Sequence, residues 1–264
     1  MSAGNGTAET VLAVDDLAVH FGGLAALNNV SFDVREGEVA SLIGPNGAGK
    51  TTAFNVITGF QPPTTGTIRY KGQSLNGLRP NQIAEFGVVR TFQKTSVFAS
   101  NSVFDNILIG LHRQGASKTW EILLSLPRVR KEELWLREKA AEILDFVGLS
   151  ARANELGGAL PYGEQRLLEV AIALAADPSL LLLDEPVSGM NPAETASFMD
   201  MVGKIRARGI TILLVEHDMR MVMEVSDRVV VLNQGQIIAE GTPDEIQQDA
   251  EVIRAYLGHG ARRA

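Results

Sequence analysis

The chain has 264 residues, 45% of them hydrophobic and 21% charged, a balance that builds a folded core and excludes a disordered chain. Its formal net charge of −7 lacks the basic footprint of a nucleic-acid binder, and the absence of cysteine excludes a disulfide-stapled fold and any thiolate metal or redox site. The most apolar stretch, Val170–Leu183, is broken by Asp177, Pro178 and Ser179, short of the roughly 18 uninterrupted residues that span a bilayer, so membrane association is expected to go through a partner.

Met1–Thr10 is small and polar, which reads as a flexible tail rather than a signal peptide. From Val11 to Ile43 short apolar runs alternate with turn signals at Gly22-Gly23 and Glu36-Gly37, predicting an N-terminal antiparallel β region. A helix is expected to open at Lys50 and close over Asn55–Gly59, with Gly59 as its cap. Roughly residues 94–159 change texture: Val103–Leu111 and Glu132–Val147 carry helical periodicity, with no strand between them. Strand and helix then alternate: strand Leu180–Leu183, helix Ala193–Ala207, strand Ile210–Val215, helix Met219–Val225, strand Arg228–Leu232. That alternation predicts an α/β fold with a mainly parallel sheet. A helical subdomain at about 94–165 is inserted into one domain spanning 11–257, and 258–264 forms a second tail.

Gly44-Pro45-Asn46-Gly47-Ala48-Gly49-Lys50-Thr51 matches G-x-x-x-x-G-K-[ST], between the apolar run Val39–Ile43 and a helix, and continues into Thr52. Glycines let the backbone curl so that several N–H groups face one anion, and the helix start adds its positive dipole end. Lys50 supplies a charge for nucleotide phosphates and Thr51 a hydroxyl for Mg²⁺. About 130 residues later, Leu180-Leu181-Leu182-Leu183-Asp184-Glu185 reads as a buried strand ending in two carboxylates. Asp184 is placed to help hold Mg²⁺ and Glu185 to orient or deprotonate an attacking water. Another strand end carries Glu216-His217-Asp218, where the imidazole is placed to meet the γ-phosphate or the water.

Together these motifs resemble the ATP-binding subunit of an ABC transporter, over nearly the whole chain. Gly44–Thr51 is similar to Walker A, Leu180–Glu185 to Walker B, and Arg90-Thr91-Phe92-Gln93 to the Q-loop. Leu160-Pro161-Tyr162-Gly163-Glu164 occupies the signature position, Ser188-Gly189-Met190-Asn191 resembles the D-loop, and His217 resembles the switch histidine. The resemblance implies a P-loop NTPase core and Mg²⁺-dependent ATP hydrolysis. It implies that Phe21 stacks on adenine and that Gln93 links the metal and the water to a transmembrane contact. It also implies a dimer with a second, identical or different, ATP-binding subunit. Each ATP there lies between one subunit's phosphate loop and its partner's signature, here Tyr162 and Gly163.

Phe21–Leu27, Arg90–Gln93, Tyr162 and the ending Val252–Gly258 are similar to branched-chain amino-acid importers. Such a subunit is held at the cytoplasmic face of the inner membrane by permease subunits, and a periplasmic binding protein reads the solute. An exporter ATPase, such as one for lipopolysaccharide, and a non-transport regulatory ATPase are the alternatives. A chromosome-maintenance relative needs a coiled-coil insertion that the roughly 65 residues between Gln93 and Leu160 cannot supply.

The sequence departs from the family pattern in the signature, where Pro161 replaces the usual serine and Glu164 brings a carboxylate towards a polyanion. Leu167 and Ile172 stand where arginines are common. Val97, Phe98, Val103 and Phe104 lie in the segment that the resemblance assigns to permease docking, although core packing explains at least half of them.

Overall fold

The computed structural model describes residues 9–91, 97–112 and 127–257. Two compact units emerge: one comprises the chain to Arg90, Ser179–Glu185 and the segment from Met199 onward; the other comprises Thr91–Pro178 and Pro186–Phe198.

The first unit holds two sheets. Strands β1 (Thr10–Phe21), β2 (Leu24–Arg35), β4 (Thr65–Tyr70) and β5 (Gln73–Ser74) form an antiparallel sheet in the order β2-β1-β4-β5. β1 starts at Thr10, inside the span read from sequence as a tail. The second sheet runs β10-β9-β3-β8-β7-β6, from β3 (Val39–Ile43), β6 (Val88–Arg90), β7 (Leu180–Asp184), β8 (Thr211–Val215), β9 (Arg228–Asn233) and β10 (Gln236–Gly241). Its pairs are parallel except β9 with β10. Every residue of β3, β7 and β8 is buried, as continuous apolar runs covered on both faces require.

Helix α1 (Lys50–Ile57) follows β3 and ends as expected, with the Thr58 hydroxyl on the Phe54 carbonyl and Gly59 at φ +73°. Short α2 (Pro80–Glu85) precedes β6, and α7 (Met219–Val225), α8 (Pro243–Gln248) and α9 (Ala250–Leu257) complete this unit.

The second unit is helical. α3 (Val103–Leu111) packs against α4 (Pro127–Val147) and α5 (Tyr162–Leu174). α4 starts five residues before the expected Glu132 and buries only Ala140, Ile143, Leu144 and Val147, a stripe at helical spacing in its C-terminal half. α6 (Pro192–Ala207) gives its residues through Phe198 to this unit and the rest to the first.

Asn106 is fully buried on α3 and organises the loop before it. Its Oδ1 accepts the Phe98 N–H at 2.7 Å, and its Nδ2 donates to the Phe98 and Ser102 carbonyls at 3.1 and 2.9 Å. Removing that amide strands buried backbone groups, so Asn106→Ala should cost about 2–3 kcal/mol. The reading is a lower urea midpoint at unchanged slope.

Candidate functional site

Parallel pairing sets three strand ends side by side. Leu42 and Asp184 both pair with Val215, one on each side of β8. β3 therefore delivers the Gly44–Thr51 loop beside the Asp184-Glu185 end of β7 and the Glu216-His217 end of β8. Ligand sites of open α/β sheets form at such carboxyl ends.

The loop leaves β3 at Gly44, which only glycine can fill: an added Cβ would lie 2.1 Å from the Leu232 carbonyl oxygen. The Lys50 Nζ donates to the Gly44 and Pro45 carbonyls at 2.7 and 3.1 Å. Burial pulls the Lys50 amine below its usual value, against the opposing fields of Glu185, Asp184 and Glu216. The first N–H groups of α1 have no intrahelical acceptor and open towards the loop. A cleft of about 530 Å³ lies over this end, lined by Leu24–Ala26, Asn46–Thr52, Glu185 and Gln234. Asn46, Gly47, Ala48, Gly49, Lys50, Thr51, Thr52 and Glu185 thus line one cleft, and the Lys50 ammonium ties Gly44 and Pro45 to it. Phe21 stands half-exposed on the same hairpin as Leu24–Ala26, outside the cleft lining.

Glu185 is half-buried with φ +47°, its N–H bonded to the Val215 carbonyl. The carboxylate of Asp184 is buried and paired with Arg90 at 2.6 Å. His217 presents a side chain 57% exposed, while its backbone is fixed from below. Fully buried Glu216 accepts the N–H groups of His217 and Asp218 at 2.8 and 3.1 Å. Gln93, proposed for both catalysis and metal binding, lies outside the described residues.

At the C-terminus, Tyr256 packs beside the apolar cluster that contains Ile43. Burial pushes its hydroxyl up to about 12, against the backbone N–H of Gly44. Nothing in the chain order signals that a C-terminal tyrosine faces the start of the phosphate loop.

In the helical unit, Pro161 is the N-cap of α5 and brings no side-chain cap bond. Tyr162 is exposed, donates its hydroxyl to the Ser188 carbonyl at 2.9 Å, and lies under the Arg166 guanidinium. Gly163 packs against the Glu194 side chain, whose carboxylate accepts the Asn191 N–H. The Glu164 carboxylate is paired with Arg152 at 3.2 Å, so the acid expected to repel a polyanion carries its own counter-charge. Among the four apolar residues after the Q-loop position, Val97 and Val103 are buried, Phe104 is half-buried, and Phe98 is 50% exposed.

Residues 27–188 match the family described as ABC transporter, and residues 236–262 the one described as branched-chain amino acid ATP-binding cassette transporter. A further match, over residues 155–222, is to an AAA domain described as putative AbiEii toxin, Type IV TA system. The high-affinity branched-chain amino acid transport ATP-binding protein LivG of Salmonella typhimurium is 47% identical over 251 residues, 95% of this chain and 98% of its own. Its counterpart BraF of Pseudomonas aeruginosa is 45% identical over 249 residues, 94% of this chain and 98% of its own. A crystal structure of the ADP conformation of an ATP-binding cassette of an ABC transporter matches with a TM-score of 0.83 and 33% identity, covering 95% of this chain and 99% of that one. Cleft, strand ends and full-length similarity agree: the chain belongs to the ABC transporter family, as one of its nucleotide-binding cassettes.

Proposed function

We propose that this chain hydrolyses ATP to power an importer of branched-chain amino acids. The alignment of Glu185, Lys50 and the Glu216-His217 turn at one sheet end is the observation that carries hydrolysis. The solute class rests on the relatives named for branched-chain amino acid transport, to which the similarity extends over 95% and 94% of this chain.

In this reading the loop amides and Lys50 hold the β- and γ-phosphates, exchanging the Gly44 and Pro45 carbonyls for phosphate oxygens as acceptors of the ammonium. Phe21 meets the adenine ring from the exposed hairpin. Glu185 is the general base that orients and deprotonates the water, and His217 contacts the γ-phosphate.

Mg²⁺ fits the donor set. Among the described residues no cluster of three or more His, Cys, Asp or Glu forms a protein cage. A hydroxyl and one carboxylate, completed by phosphates and water, suit an ion that keeps much of its hydration. Thr51, Asp184 and Gln93 are the residues that would hold it, and when bound it neutralises charge on the transferred phosphoryl group.

The partners follow from the same reading. No helix among the described residues is long and apolar enough to cross a membrane, so attachment to the cytoplasmic face of the inner membrane runs through permease subunits. Phe98, exposed beside the buried Val97 and Val103, is the docking residue. A second ATP-binding subunit receives the Tyr162-Gly163 signature across a dimer interface, and a periplasmic protein recognises the solute.

Glu185→Gln should leave ATP affinity unchanged and lower turnover by about 10²–10⁴-fold; turnover that survives would remove Glu185 as base. Pro161→Ser restores an N-cap and a phosphate-facing hydroxyl. It should raise ATPase turnover of the assembled transporter by about tenfold, and an unchanged rate would clear Pro161 of any kinetic role. Phe98→Asp should abolish solute uptake by reconstituted vesicles while fluorescent-nucleotide binding stays intact; normal uptake would take Phe98 off the docking surface.

A further inference from the structure

We infer that Arg90 is a positioning residue that fixes the metal-side carboxylate Asp184 relative to Thr51, an inference that rests on the metal reading just proposed. Arg90 is the last residue of β6, and its strand partner on β7 is Leu182, two residues before Asp184. From there one end of its guanidinium donates to Asp184 Oδ2 at 2.6 Å. The other end donates to Asn55 Oδ1 at 2.8 Å and to Thr58 Oγ1 at 3.4 Å. The plane lies over the Phe54 ring, 5.5 Å from its centre. The Arg90 and Asp184 side chains are 8% and 0% exposed.

A pair buried this deeply contributes little net stability, because desolvation of both charges offsets their attraction. What the arrangement does supply is geometry. Asn55 lies four residues after Thr51 on α1, so the two share one helix face a single turn apart. The guanidinium therefore spans a rigid line from the helix that carries Thr51 to the strand end that carries Asp184. A planar guanidinium places its donors on separate nitrogens in fixed directions and so bridges two acceptors on opposite sides, a span the single nitrogen of lysine does not reproduce. Groups one shell behind a metal ligand ordinarily change metal affinity by about 10–100-fold.

The test uses the full chain saturated with a non-hydrolysable ATP analogue and reads bound Mn²⁺ by electron paramagnetic resonance. Arg90→Lys should weaken Mn²⁺ binding by about tenfold. Nucleotide affinity in EDTA, read with a fluorescent ATP analogue, should stay within about twofold of the unmodified chain. Asn55→Ala, which keeps the ion pair and removes its anchor on α1, should weaken Mn²⁺ in the same direction by a smaller factor, and thermal unfolding identifies any variant that has not folded. Asp184→Asn should weaken Mn²⁺ at least as much, and combining it with Arg90→Lys should add no further loss. Unaltered Mn²⁺ affinity in Arg90→Lys and Asn55→Ala, alongside a loss in Asp184→Asn, would overturn the inference and leave the metal reading standing. Unaltered affinity in Asp184→Asn would overturn both.

Discussion

Val215 is paired with Leu42 on one side and with Asp184 on the other, and this double pairing aligns the ends of β3, β8 and β7. Both faces of these strands are apolar, so side-chain alternation alone would penalise a one-residue slip only weakly. The polar strand ends supply the missing constraint. A slip inward would carry Asp184 into the covered interior of the sheet, away from Arg90, and bury a charge without its partner. The carboxylates and the loop glycines therefore specify the fold as well as the chemistry.

Much of this was legible because the strongest signals were local. Leu180–Leu183, the Gly44–Thr51 loop and the Val103–Leu111 helix each announce themselves within a few residues. β4 and β10 escaped detection since both are mixed in burial and carry glycines, which dilutes an alternating pattern. α4 begins at Pro127, ahead of the periodicity that starts at Glu132, because its first residues are mostly charged and exposed and bury no apolar stripe. Partnerships between distant residues left no trace at all: the pairing of Arg90 with Asp184, 94 positions apart, is a product of topology.

The signature segment shows how one substitution is absorbed by its neighbours. A proline at the cap of α5 removes a side-chain acceptor, yet the Pro161 carbonyl still receives the Gln165 N–H at 3.0 Å, so the helix begins in register. Arg152 meets the acid introduced at Glu164. Tyr162 is anchored twice, to the Ser188 carbonyl and to Arg166, which holds an exposed aromatic face in one orientation. The departures at Pro161 and Glu164 thus come with local compensation, and what is lost is the hydroxyl that Pro161 cannot offer.

Behind the phosphate loop runs a relay of peptide groups: the Ala48 carbonyl accepts the Gly235 N–H, and the Gly235 carbonyl accepts the Asn28 N–H at 2.8 Å. Every residue but proline offers both main-chain groups, so these two bonds make little demand on the side chains at positions 28 and 48. Gly235 is the exception, since a Cβ there would sit 2.8 Å from the Ala26 carbonyl oxygen in a left-handed conformation at φ +79°. A side chain at position 235 would therefore press on the backbone behind the phosphate loop, although that position is far from the motif in sequence.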